Sequence, residues 1–176
     1  SAPLAATYLQ QARSYLQLYE ELFGPYPFHK FAIVENFFPT GYGLPSWTLL
    51  GSSVINLPFI RYTSLPHEIA HAWWGNAVEI DYASGNWGEG LATYVADYYL
   101  KELSSETEAL EYRRKILNDY AILAAGSDYP LTDFRSRLSK RDQAIGYGKA
   151  AMVFHMLRQR LGDEAFCGAL QQTSRT

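Results

Sequence analysis

The apolar positions at the start of the chain recur at three- and four-residue spacing. Leu9, Ala12, Leu16, Tyr19, Leu22 and Phe23 share one face of a helix predicted from Leu4 to Phe23, and Gly24-Pro25 stops it. The period then changes. Phe31–Val34 and Thr48–Leu57 are rich in β-branched and aromatic residues and read as two strands, separated by the turn-prone run Pro39–Ser46. Beyond Ser64 helical periodicity returns, with segments predicted near 64–76, 87–103, 106–125, 142–161 and 163–172. Short N-terminal strands followed by a mostly helical portion make an α+β plan. No internal repeat or low-complexity run interrupts it.

With 176 residues, 48% of them apolar and 19% charged, the chain is long enough for one core and too short for two comfortable ones. Residues 1–176 are therefore expected to form a single domain or part of one. Aromatic residues make up 15%, led by 14 tyrosines, which suits core packing and also a cleft walled by amphipathic rings. A net charge of −3 without a basic run offers no footprint for nucleic acid, and no apolar stretch approaches the roughly 20 residues that span a bilayer. Thr132–Asp142 carries Arg135, Arg137, Lys140 and Arg141 and reads as a solvated connection. Cys167 is the sole cysteine, so no intramolecular disulfide can form, and it reads as a buried filler. The opening Ser-Ala-Pro and the uncapped Arg175-Thr176 are expected of a piece of a larger protein.

One motif carries chemistry. His67-Glu68-Ile69-Ala70-His71 is H-E-x-x-H, and on a helix residues i and i+4 share a face, so both imidazoles can reach one ion. A hydrolytic zinc site uses three protein ligands and one open position, so a further ligand is required. Glu68 does not point directly at the metal and suits the role of general base toward the attacking water. Trp87-Gly88-Glu89-Gly90-Leu91-Ala92-Thr93-Tyr94 begins a second helix and puts a carboxylate, Glu89, in its first turn, with 17 residues between it and His71. Gly88 and Gly90 would let that chain pass close to the metal helix. One Zn2+ is the expected cofactor, although imidazole and carboxylate also accept other divalent ions.

These residues, with Ala72-Trp73-Trp74-Gly75-Asn76 after the second histidine, resemble the aminopeptidase N family of gluzincin metallopeptidases. The resemblance implies a thermolysin-like zinc peptidase catalytic domain, a peptide substrate, and flanking domains in the full-length parent. The family spaces its glutamate ligand one residue farther than the 17 found here, which a deletion in the Asp81–Gly85 loop would explain. Ile145-Gly146-Tyr147-Gly148-Lys149-Ala150 is similar to the family's Tyr-x-Lys-Gly helix start and implies that Tyr147 stabilises the oxyanion. Asp97 is either a group that orients a ligand histidine or a surface carboxylate.

Where the family's aminopeptidases carry G-x-M-E-N, whose glutamate binds the free α-amine, this chain has Gly41-Tyr42-Gly43-Leu44-Pro45-Ser46. Amino-terminal specificity loses its charge partner. Glu35 and Glu79 are the acidic residues near in sequence. Gly41, Tyr42 and Gly43 are candidate substrate-binding residues, with Tyr42 as a pocket wall and Thr48–Leu57 as a backbone edge for an extended peptide. Two other classes stay open: a zinc-bearing binding domain whose catalysis has lapsed, and a metal hydrolase acting on something other than peptides. The compartment is not indicated.

Overall fold

The computed structural model describes residues 2–37 and 41–175. They fall into two compact units, one made of the residues up to Val78 with those from Cys167 onward, the other of Glu79–Phe166. No helix among the described residues is long and apolar enough to cross a membrane.

In the first unit, α1 (Ala2–Phe23) buries Tyr8, Ala12, Tyr15, Tyr19 and Phe23, while Leu9 is 59% exposed. The buried stripe is thus led by tyrosine and displaced from the predicted one. Tyr8 and Tyr15 bury their rings while their hydroxyls donate to the carbonyls of Ile55 (2.7 Å) and Arg61 (3.0 Å), so these amphipathic rings fit a face that leucine does not hold. The helix stops as predicted: Gly24 has φ 92° and its N–H returns to the Glu20 carbonyl at 3.0 Å.

A mixed sheet follows, in the order β1-β3-β2, with β1 (Ala32–Asn36) parallel and β2 (Gly41–Leu44) antiparallel to β3 (Trp47–Gly51). β2 occupies the run predicted as a turn, whose first residues Pro39 and Thr40 lie outside the described residues. The turn itself is only Pro45-Ser46, with Pro45 fixing its own φ and Ser46 at φ 69°. The predicted strand Thr48–Leu57 ends at Gly51, because Val54 and Ile55 bond back to the Gly51 carbonyl (3.0 and 2.9 Å) and turns replace the ladder. Helix α2 (Ser64–Ala70) is shorter than the predicted 64–76. Gly75 at φ 114° reverses the chain, and Ala77 and Val78 donate back to the carbonyls of Ala72 and Trp73 (3.2 and 2.8 Å).

This reversal buries Trp73 and Trp74. Trp73 meets the rings of Tyr19, Phe23 and Tyr26 edge-on and donates from Nε1 to the Gly24 carbonyl at 3.2 Å, which pins the end of α2 to the end of α1. The last part of α8 (Asp163–Thr173) adds a donation from Gln171 to the Glu21 carbonyl at 2.9 Å, and half-buried Cys167 belongs to it.

The second unit holds α3 (Trp87–Ala92), a π-helical stretch Thr93–Tyr98, α4 (Tyr99–Ser104) and α5 (Glu106–Ala121). After a loop come α6 (Lys140–Asp142), a second π stretch Gln143–Lys149 and α7 (Ala150–Leu161). The predicted helices stand, and the π stretches within them are a feature periodicity alone does not reveal. Ser139 and Asp142 cap α6 reciprocally: Ser139 Oγ accepts from the Asp142 N–H (3.1 Å) and the Asp142 carboxylate from the Leu138 N–H (3.1 Å).

Tyr94 and Tyr98 stack at 5.3 Å, His155 lies 5.2 Å from the Tyr98 ring, and Arg158 ties Glu102 to Asp163. Burial holds the His155 imidazole below its ordinary value, Arg113 and Arg158 push the same way, and Glu102 opposes them. The native state therefore resists a proton that the unfolded chain accepts, so this contribution is complete above about pH 6.5 and is lost as pH falls below it. The melting temperature should drop between pH 7 and 5, and less steeply in His155→Gln; parallel profiles would contradict this. Gly90 faces Ala150, where an added Cβ would overlap the Ala150 methyl. Gly90→Ala should cost about 1–3 kcal/mol in denaturant unfolding, and an unchanged midpoint would show that the two helices have slack.

Candidate metal centre

His67 and His71 stand one turn apart at the end of α2, with ring centroids 5.0 Å apart and the rings tilted by 76°. His71 Nδ1 lies 2.9 Å from the Trp74 carbonyl. With the proton on Nδ1 donated there, Nε2 is left with its lone pair free to accept a metal ion. Asn76 completes the reversal by donating from Nδ2 to the His71 carbonyl at 2.7 Å. The Trp-Trp-Gly-Asn run thereby fixes the rotation of one imidazole.

Glu68 is half-buried, and β2 lies against it. A Cβ on Gly41 would sit 2.8 Å from Glu68 Oε1, and one on Gly43 would sit 2.7 Å from His71 Cβ and 2.9 Å from the Glu68 carbonyl oxygen. At Gly43 only glycine allows the strand so close, whereas at Gly41 the end of the Glu68 side chain would have to turn. Tyr42 alternates to the opposite face and is 54% exposed, with its carbonyl accepting from Thr48 Oγ1 at 2.9 Å. β3 is flanked on both sides, so the backbone edge expected of Thr48–Leu57 is not available there; β1 and β2 are the edge strands of the described sheet, and β2 is the one beside Glu68. Glu35 is exposed on β1, with β3 between it and β2. Glu79 is exposed.

Glu89 lies in the first turn of α3 and is half-buried. Its flanking glycines meet residues of their own unit, Gly88 against Ile80 and Gly90 against Ala150. His67 and His71 belong to the first unit and Glu89 to the second. Two imidazoles and a carboxylate are a donor set that zinc accepts at a hydrolytic site, with one position left over.

Tyr147 sits in the second π stretch, half-buried, and such stretches recur at functional sites. Phe134 meets its ring edge-on at 5.9 Å, and the Arg137 guanidinium lies over the ring at 5.6 Å. Lys149 is held by both carboxylate oxygens of Asp128 at 2.8 Å. Half-buried Asp97 lies in the first π stretch; burial pushes the Tyr112 phenol up and the charge of Asp97 adds to it. The charged connection Thr132–Asp142 is more than a solvated loop, since Phe134, Arg135 and Arg137 all make specific contacts. Their only signal in sequence was a basic run.

The family model for the Peptidase family M1 domain matches residues 62–174. Mitochondrial aminopeptidase 2 of Saccharomyces cerevisiae is 28% identical over 89% of this chain and 18% of its own length. Human aminopeptidase N is 34% identical over 59% of this chain and 12% of its own length. The crystal structure of an M1 zinc metallopeptidase from Deinococcus radiodurans shares the fold, with a TM-score of 0.74 and 24% identity over 94% of this chain and 36% of that one. This chain therefore spans less than a fifth of the length of those two aminopeptidases. The matched region holds the H-E-x-x-H helix, Glu89 and Tyr147, and the chain belongs to peptidase family M1.

Proposed function

We propose that residues 1–176 are a catalytic part of a zinc-dependent peptidase that hydrolyses peptide bonds with a metal-activated water. Support comes above all from the H-E-x-x-H helix, with the His67 and His71 rings 5.0 Å apart and Glu68 between them in sequence, inside the region matched by the Peptidase family M1 domain. Bound there, the ion supplies Lewis acidity toward the scissile carbonyl and toward a water. Glu68 takes the proton of the attacking water and returns it to the leaving amine. Tyr147 donates a hydrogen bond to the oxygen on which negative charge develops.

The substrate lies extended along β2, the edge strand beside Glu68, and is held through the backbone. β2 carries no carboxylate, and Glu35 is on the far strand of the sheet, so an α-ammonium finds no partner on this wall. Cleavage then does not depend on a free amino terminus. In the zinc-loaded full-length protein, Glu68→Gln should retain metal and lose at least about 100-fold in kcat, the scale of a general base; equal turnover would remove Glu68 from the mechanism. N-acetylated and free-amine forms of one peptide should be cleaved at comparable rates, and release of products from free amino termini alone would restore exopeptidase specificity.

A further inference from the structure

The segment from Phe134 to Arg137 connects the helix of Glu89 to the ring of Tyr147. At one end it is tied to Asn86, immediately before α3: the Asn86 N–H donates to the Phe134 carbonyl at 2.8 Å, and Asn86 Nδ2 donates to the Arg135 carbonyl at 3.0 Å. Arg135 adds a donation to the Ala83 carbonyl at 3.0 Å. At the other end the segment holds Tyr147 from two directions, with the Phe134 ring edge-on at 5.9 Å and the Arg137 guanidinium over its face at 5.6 Å. Gly146 makes room for this, since a Cβ there would overlap the Phe134 ring. Phe134 is buried, so the anchor is fixed, whereas Arg137 is exposed and contributes little to the core.

We propose that Arg137 is a positioning residue for Tyr147, acting through the face of its ring. This rests on the oxyanion role assigned to Tyr147 above. A cation over an aromatic face is attracted by the ring's negative quadrupole, and the attraction grows when the ring becomes more electron-rich. The phenol becomes more electron-rich as its O–H is drawn toward a developing oxyanion. Arg137 therefore favours the transition state over bound substrate, and its effect appears in kcat rather than in KM.

The test is steady-state hydrolysis of a peptide by the zinc-loaded full-length protein carrying Arg137→Gln, Arg137→Lys, Tyr147→Phe, or Arg137→Gln with Tyr147→Phe. Arg137→Gln should lower kcat about three- to tenfold with KM within about twofold, the range of a partly exposed cation–π contact. Arg137→Lys should recover part of the loss. In the Tyr147→Phe background, itself strongly impaired, Arg137→Gln should have little further effect, because no phenol remains to donate. The ring resonance of 13C-labelled Tyr147 should shift on Arg137→Gln in metal-free protein, while the melting temperature stays within a few degrees. An unchanged kcat in Arg137→Gln beside an impaired Tyr147→Phe would overturn the positioning role and leave the oxyanion role standing. An equal loss in both backgrounds would also overturn it, since Arg137 would be acting elsewhere. Full activity in Tyr147→Phe would overturn the oxyanion role and this proposal together.

Discussion

No side chain fits at Gly43 between β2 and the end of α2. The strand runs so close to Glu68 and His71 that glycine is required at Gly43, while a Cβ on Gly41 would press on the end of the Glu68 side chain and turn it, and everything proposed for the first unit depends on that approach. The approach is held from behind. Trp73 is locked among Tyr19, Phe23 and Tyr26, and Trp74 offers its carbonyl to His71 Nδ1, so the packing that buries the two tryptophans also sets the angle of an imidazole. Core and site share their residues here. A substitution that loosened the tryptophans would rotate the His71 ring.

The second unit repeats this logic with different parts. Glu89 is flanked by Gly88 and Gly90, and the helix that carries it meets α7 at the Gly90–Ala150 contact. Tyr147 is preceded by Gly146, which admits the Phe134 ring. In each case the residue proposed to do chemical work is neighboured by glycine, and in each case a neighbouring group occupies the space a Cβ would need. The two π-helical stretches lie in the same helical rods, where a wider turn re-aims the side chains that follow it. The Phe134–Arg137 segment spans from the start of one rod to the ring of Tyr147 on the other.

Much of this was legible in the residues because the strongest signals are local. H-E-x-x-H states its own geometry on a helix, and Glu89 stands at a helix start marked by its glycines, whereas Tyr147, expected at a helix start, lies inside a helical rod in the π stretch Gln143–Lys149. Helical periodicity likewise survives reading without tertiary context, so the later helices were found with small errors at their ends. The strands were harder. Gly41-Tyr42-Gly43-Leu44 has the composition of a turn and becomes a strand only because β3 pairs with it and α2 needs a wall without side chains. The stripe on α1 was misplaced for a similar reason, since Tyr8 and Tyr15 are drawn inward by carbonyl partners 46 and 47 residues away. Arg137 could not have been found, because its partner ring is brought to it only by the fold.

The central claim is that His67, His71 and Glu89 hold one ion. The most direct measurement is an anomalous difference map at the zinc absorption edge from crystals of the zinc-loaded full-length protein. The account predicts one strong peak at about 2.0–2.2 Å from a nitrogen of each histidine and from a Glu89 carboxylate oxygen, with an open position toward Glu68. A peak bound elsewhere, no peak, or a Glu89 carboxylate turned away from the ion would contradict it.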